Sequence, residues 1–264
     1  MTKTARKAHS PNLNPESEWF GFRRVRPQEK AGLVRDVFDS VAENYDLMND
    51  LMSGGLHRLW KDRLASMMNP KAGQNLLDVA GGTGDVAYRC YKRTEGKAHI
   101  TVCDINTNML KHGRARMIDR GILSTSDNTI RFITGNAEEL PIPARSVDIY
   151  SIAFGLRNVT HIDKALSEAV RVLRPGGRFF CLEFSPGVNP LMKPIYDRYC
   201  TEVLPRLGAM VAHDRDSYQY LAESILKFPP QGELAKRMEK AGMTNVSWIN
   251  LTGGIAVIHV GWKL

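Results

Sequence analysis

Long apolar runs are missing from this chain. Nowhere does it hold the roughly 18 consecutive apolar residues that a membrane-crossing helix needs. Cysteine is scarce as well. The four present (Cys90, Cys103, Cys181, Cys200) form no CxxC pair and have no histidine cluster nearby, so neither a disulfide framework nor a structural zinc site is expected. Such usage fits a reducing compartment. Acid is absent from the first 15 residues, MTKTARKAHSPNLNP, which are basic and hydroxyl-bearing. That composition suits a weak mitochondrial targeting segment and equally a solvated tail. It lacks the apolar core of a secretory signal, and the final WKL is not a peroxisomal SKL.

What is there is an ordinary globular composition, with 43% hydrophobic and 24% charged residues, which excludes disorder as a whole. The 264 residues suffice for one large domain, expected over 31–264 behind a basic arm at 1–30. The net charge is +8, and residues 1–35 hold eight basic side chains against three acidic ones. The body shows no run of Lys and Arg interleaved with aromatics, so no nucleic-acid groove is expected.

Leu33, Val34, Val37, Phe38, Val41, Ala42 and Tyr45 recur at helical spacing and predict a helix over 31–50. A second helix follows the Ser53-Gly54-Gly55 break and ends near Pro70. From Asn75 the pattern becomes short β-rich runs, at 75–80, 99–105, 129–134, 147–154 and 178–184, with helices between most of them. Such alternation implies an α/β fold with a parallel sheet and right-handed crossovers. Residues 189–227 read as helical segments broken or started at Pro190, Pro194 and Pro205. The strands at 245–251 and 255–263 flank Thr252-Gly253-Gly254 and should form a hairpin whose last strand enters the sheet antiparallel. A parallel sheet closed in this way is the outline of class I methyltransferases.

The first strand runs into Gly81-Gly82-Thr83-Gly84-Asp85, where glycines let a ligand approach exposed backbone N–H groups. NAD(P) and S-adenosylmethionine compete for this loop. Both explain Asp104, twenty positions after Gly84, as a ribose acceptor. Charge favours S-adenosylmethionine, because Asp85 and Asp78 oppose a pyrophosphate but suit an ammonium and a sulfonium. Asn136-Ala137 follows the third strand, where a class I methyltransferase would hold the adenine, although Asn in such a turn also occurs without a ligand. Arg174-Pro175-Gly176-Gly177 reads as a helix-ending turn with no ligand role. After the fourth strand, Arg157 is either a surface residue or a cation facing an electron-rich substrate oxygen.

YDLMNDLMSGGLHRLWK (45–61) and RVLRPGGRFFCLEFS (171–185) carry more information than the loop. With LLDVAGGTGD, CDIN, GNAEELP, FGLRNV and SYQYLAESI, they resemble the ubiquinone/menaquinone biosynthesis C-methyltransferase family (UbiE type). The resemblance runs from about Gly32 to Leu264, and THIDKALSEAVRVLRPGGRFFCLEFS and GGIAVIHVGWKL look more like its eukaryotic, mitochondrial branch. It implies S-adenosylmethionine as cofactor, with Gly82, Thr83 and Gly84 at the methionine end, Asp104 on the ribose, and Asn136 with Ala137 near the adenine. Ala153 stands where bacterial relatives commonly have Ser, so a hydroxyl contact is lost there.

The implied acceptor is a 2-methoxy-6-polyprenyl-1,4-benzoquinol, methylated on a ring carbon without a metal. Demethylmenaquinone is the alternative acceptor, and a NAD(P)-dependent oxidoreductase the remote alternative function. Arg157 would favour the phenolate, and Asp46, Tyr45 or His57, in a helical lid over 31–70, would take or position the proton, unless they simply pack. Asp216, Tyr218 and Tyr220 in the helical insertion would complete the pocket. Leu51, Met52, Leu56, Leu191, Met192, Ile195, Leu204, Leu207 and Met210 could hold a polyprenyl tail, though such a stripe more often belongs to a core. The resemblance further implies peripheral contact with a membrane surface, a homodimer and a place in a ubiquinone-biosynthesis complex. It implies a location on the matrix face of the mitochondrial inner membrane, or in the cytoplasm for a bacterial source.

Overall fold

A short hairpin, β1 (Glu18–Phe20) and β2 (Arg23–Val25), precedes three helices, α1 (Pro27–Val41), α2 (Tyr45–Ser53) and α3 (His57–Met68), in the computed structural model. Strands and helices then alternate: β3 (Asn75–Val79), α4 (Asp85–Thr94), β4 (His99–Asp104), α5 (Thr107–Asp119), β5 (Ile130–Thr134), β6 (Val147–Ala153), α6 (Ile162–Val172) and β7 (Leu173–Phe184). A helical stretch follows, with α7 (Lys193–Arg198), a π turn (Tyr199–Val203), α8 (Leu204–Leu207) and α9 (Arg215–Lys227). The chain closes with α10 (Gln231–Lys240), β8 (Thr244–Leu251) and β9 (Ala256–Trp262). Residues 17–41, 45–123, 129–190, 193–207, 209 and 215–264 are described.

Seven strands form one sheet in the order β5-β4-β3-β6-β7-β9-β8. The first five in that order pair parallel, while β9 lies antiparallel between β7 and β8. Strand side chains alternate between two helical layers, as the pleat demands. Leu76, Ile100 and Ile149 pack with Leu64 of α3, Cys90 of α4 and Leu110 of α5. Their neighbours Leu77 and Tyr150 pack with Leu166 of α6 and Met238 of α10. The result is a three-layer α/β sandwich.

Two differences from the sequence reading have clear causes. The helix expected over 31–50 begins earlier, at Pro27, where a fixed φ suits a first turn that Arg26 and Glu29 also tie together, and its span is shared between α1 and α2. Part of the segment read as a charged arm is folded. Phe20 of the β1–β2 hairpin stacks on Tyr220 with ring centroids 4.0 Å apart, and the Phe22 N–H donates to Glu223 at 2.8 Å. The basic charge of that segment masks its signal for structure, which lies in Trp19, Phe20 and Phe22.

The ends of the two central strands carry backbone strain. Ala80, just beyond β3, and Phe154, just beyond β6, both have left-handed φ, at 50° and 58°. Gly155 fits between them only because it has no side chain, since a Cβ there would lie 2.4 Å from that of Ala80.

Candidate active site

The strand order reverses between β3 and β6, which opens a crevice at the carboxyl ends of the strands. A cavity of about 340 Å³ lies there. Its walls come from Ala80 and Gly82 after β3, Asp104 and Ile105 after β4, and Asn136 and Ala137 after β5. Ala31, Val34 and Phe38 of α1 cover it. The glycine loop can only be glycine here. A Cβ on Gly81 would meet Val102 Cγ1 at 2.7 Å, and Gly82 sits at φ +52°.

Asp104 fastens this region together. Its Oδ2 accepts the Gly82 N–H at 2.8 Å, and its Oδ1 accepts the Asn106 N–H at 2.8 Å. Burial raises its pKa, opposed by backbone N–H donors from Asn106, Gly82 and Ile105. Asn106 then caps α5, its Oδ1 accepting from the Asn108 and Met109 N–H groups. The Asn106 and Asn108 amides both donate to Asp39 of α1, at 2.9 and 3.0 Å. The Asn136 side-chain Oδ1 accepts the Glu138 N–H at 3.0 Å, which orients the amide and leaves its two hydrogens for a ligand.

Thr83 and Ala153 do not line this cavity. They border a smaller cleft with Lys61, Asp78, Gly81 and Asp85. Gly84 lies outside both; it precedes α4 at φ +75° and serves the turn. Asp85 is neutralised there, which corrects the charge argument against a pyrophosphate. Its carboxylate meets Lys61 at 3.0 Å and also pairs with Arg89. Burial opposes its ionisation, but these two cations prevail and hold its pKa at about 2. Asp78 behaves differently. Burial lifts its pKa to about 7 against the Ser151 hydrogen bond and the Lys61 charge, with Asp85 and Asp104 adding to the rise.

Two proposed catalytic groups face elsewhere. Arg157 is neither a surface residue nor a free cation. Its guanidinium donates to Glu183 at 2.5 Å and to the Phe154 carbonyl at 2.8 Å, with both side chains of the ion pair 1% exposed. Burial raises the Glu183 pKa and Arg157 opposes that rise. His57 is drawn to Asp50 at 2.9 Å and lies apart from the 340 Å³ cavity, beside Arg58 and Asp85. Burial lowers its pKa, helped by Lys61 and opposed by Asp50. Tyr45 and Asp46 belong to α2, and their side chains lie outside the described residues.

Asp216 is exposed at the start of α9, whereas Tyr218 is buried in the core. Tyr220 donates to Asn158 Oδ1 at 3.0 Å, and Asn158 lines the same cavity as Asp104 and Asn136. Asn158 was missed in the sequence, although it directly follows Arg157. Met52, Leu204, Leu51 and Leu56 pack in the main core. The side chains of Leu191, Met192, Ile195, Leu207 and Met210 lie outside the described residues.

A sheet of this order, with an inserted antiparallel strand and a glycine turn, a carboxylate and an asparagine after successive strands, defines a class I S-adenosylmethionine-dependent methyltransferase. The chain belongs to the ubiE/COQ5 methyltransferase family, whose model matches residues 25–263. It is 54% identical over 247 residues to the ubiquinone/menaquinone biosynthesis C-methyltransferase UbiE of Brucella abortus strain S19, covering 93% of this chain and 90% of that protein. The protein of the same description from Brucella anthropi is 53% identical over 93% of this chain and 92% of its own length. The fold is shared with a methyltransferase of Thermotoga maritima (TM-score 0.62, 16% identity, 88% of this chain and 100% of that one). It is also shared with phosphoethanolamine N-methyltransferase 2 of Haemonchus contortus bound to S-adenosylmethionine (TM-score 0.63, 15% identity, 87% and 60%). The protein is therefore an S-adenosylmethionine-dependent C-methyltransferase of quinone biosynthesis.

Arg157→Ala should destabilise the fold by about 3–5 kcal/mol, because it leaves the Glu183 charge buried and unpaired. Replacing both residues with apolar ones should recover much of that loss in urea unfolding. A single-variant cost below about 1 kcal/mol would show that the pair is energetically idle.

Asp78 sets a pH dependence of known sign. Its folded pKa of about 7 lies above the ordinary 3.8, so the stability it contributes is full below about pH 4 and is lost as pH rises through 7. The slope is about 1.4 kcal/mol per pH unit within that window. Asp78→Asn should remove this component, read as the difference between the unfolding curves of the two proteins from pH 4 to 8. Parallel curves would contradict the burial argument.

Proposed function

We propose that this methyltransferase acts on 2-methoxy-6-polyprenyl-1,4-benzoquinol, adding a methyl group to a ring carbon next to a hydroxyl. The supporting observation is one continuous cavity, which runs from Asn136 and Asp104 past Phe154 to Asn158 and so has a cofactor end and a place for an acceptor ring. The choice of a benzoquinol over a menaquinone precursor rests on the segments at 160–185 and 253–264 that look like the eukaryotic branch. The basic, acid-free N-terminal segment supports a place on the matrix face of the mitochondrial inner membrane. In a bacterial source the same chemistry would work from the cytoplasm. Pairing of two copies is supported by the sheet's edge strand β8, which exposes Trp248 and Ile249. Membership of a ubiquinone-biosynthesis assembly rests on the resemblance alone.

S-adenosylmethionine supplies an electrophilic methyl group. Asp104 accepts from the ribose hydroxyls with the lone pairs that Gly82 and Asn106 leave over, while Asn136 donates toward the adenine. The acceptor carbon must bring an electron pair, and it does so well only when the neighbouring hydroxyl is at least partly ionised. Asn158, oriented by Tyr220, faces the acceptor end. Arg157 acts as a positioning residue that holds the Phe154 carbonyl and the turn carrying Asn158. With His57 turned to Asp50, Asp46 and Tyr45 are the candidates to receive the proton.

Asp104→Ala should weaken S-adenosylmethionine binding by about 1.5–3 kcal/mol, the worth of a charged hydrogen bond, and calorimetry on the folded variant reads it. Unchanged affinity would remove the ribose assignment.

A quinone's two carbonyls withdraw density from the ring, so methyl transfer should require the reduced acceptor. Assays with methyl-labelled cofactor and short-tailed benzoquinols or demethylmenaquinols should give C-methyl product only when dithionite is present, and chiefly from the benzoquinol. Equal rates under air without reductant would overturn the mechanism, and a preference for the menaquinone precursor would overturn the substrate.

A further inference from the structure

The segment SYQYLAESI (217–225) lies on α9, and none of its residues lines the 340 Å³ cavity. One face of this helix instead holds the β1–β2 hairpin. Phe20 lies flat on the Tyr220 ring, with centroids 4.0 Å apart and planes 16° from parallel, and both side chains are buried. Glu223, about one turn further along, accepts the Phe22 N–H at 2.8 Å. The hairpin turns at Gly21, at φ +57°, where a Cβ would lie 2.2 Å from the same Glu223 carboxylate oxygen. The Lys227 ammonium, a further turn on, covers the Trp19 ring at 3.8 Å. Positions 220, 223 and 227 share a helix face, so the three contacts act as one grip.

On its other side Tyr220 reaches the cavity. Its hydroxyl donates to Oδ1 of Asn158, which lines the cavity. Burial pushes the Tyr220 pKa up, opposed by Arg157, so the hydroxyl keeps its proton and serves Oδ1 as a donor. The two ends of an amide have opposite polarity, and a half-turn about its last torsion exchanges them. By claiming Oδ1, Tyr220 decides that exchange. Nδ2 is left 3.4 Å from the Phe154 carbonyl, and one of its hydrogens has no partner among the described residues. A fixed N–H suits an oxygen that gains negative charge, whereas a flipped carbonyl would repel it.

We propose that the β1–β2 hairpin and the Tyr220–Glu223–Lys227 face of α9 form a clamp that holds the Asn158 amide with its nitrogen toward the ionising hydroxyl of the acceptor. Phe20 and Tyr220 are then positioning residues for methyl transfer. The inference rests on the reading of a phenolic acceptor at the Asn158 end of the cavity. Lys30, in the first turn of α1, donates to the Val159 carbonyl at 2.9 Å, so the helix that follows the hairpin is tied to the same turn.

Tyr220→Phe in the full chain tests the clamp, because the ring and its stacking stay and only the donor goes. The rate of methyl transfer in a single turnover should fall roughly ten- to hundredfold, with S-adenosylmethionine affinity and thermal midpoint close to wild type. The rise of that rate with pH should move up by about one unit, since the acceptor hydroxyl loses a group that favours its ionised form. Phe20→Leu keeps an apolar contact without the ring and should lower the rate by about threefold or more. Added to Tyr220→Phe, it should cost less than about twofold, because it acts through the hydroxyl already removed. In an Asn158→Ala background Tyr220→Phe should be silent. Benzoquinol and demethylmenaquinol are both assayed, and each variant is compared with wild type on the acceptor that wild type methylates. A wrong acceptor then shows in the wild type, and a wrong clamp in the variants. A Tyr220→Phe rate within twofold of wild type, a lower rate with an unmoved pH profile, or full additivity with Phe20→Leu would each overturn the proposal.

Discussion

The Asp104 carboxylate is the fixed point from which the cofactor site is built. One oxygen holds the glycine loop through Gly82, and the other holds Asn106. Asn106 in turn caps α5 and reaches Asp39 on the covering helix. Two backbone N–H groups and one asparagine thus tie together the loop, the end of β4, the start of α5 and α1. A side chain able to accept only one of these bonds would leave a buried N–H unsatisfied, a cost comparable with a lost hydrogen bond. In the proposed function the same carboxylate accepts from the ribose, so cofactor recognition would draw on a group whose orientation the fold has already set.

The opposite wall is set by strain and by a buried charge. Ala80 and Phe154 turn the chain sharply at the ends of adjacent strands, and Gly155 lets those turns touch. Arg157 and Glu183 lock the Phe154 turn from behind. An interior ion pair contributes little net stability against an apolar replacement, but it is costly to break. Its effect is to hold one geometry.

Local pattern made the alternating strands, the glycine loop, Asp104, Asn136 and the closing hairpin legible in the sequence, because each depends on spacing within a few residues. What was not legible depends on long-range pairing. Arg157 looked like a substrate ligand because its partner, Glu183, lies on the next strand of the sheet. Asp85 looked like free negative charge because Lys61 reaches it from another helix. The surface cluster of Arg58, Arg89, Lys92, Arg93, Arg116 and Arg120 was invisible because its six cations come from three helices and the residue just after the third. Charge along a chain and charge across a surface are different quantities, and only folding relates them.

The place of β9 has a consequence for how the molecule is made. It follows both of its neighbours in the chain, yet it lies between them and pairs with β7 over seven residues, from Phe184↔Ala256 to Arg178↔Trp262. Until residues beyond 256 have been synthesised, β7 is an open edge and β8 has no strand to join. A nascent chain must therefore keep an unpaired, largely apolar strand from sticking to others while the rest of the sheet is already assembled. Completion of the sheet is a late event in the life of each molecule, and ribosome-bound intermediates should carry the risk of edge-to-edge association that the finished fold has removed from β7.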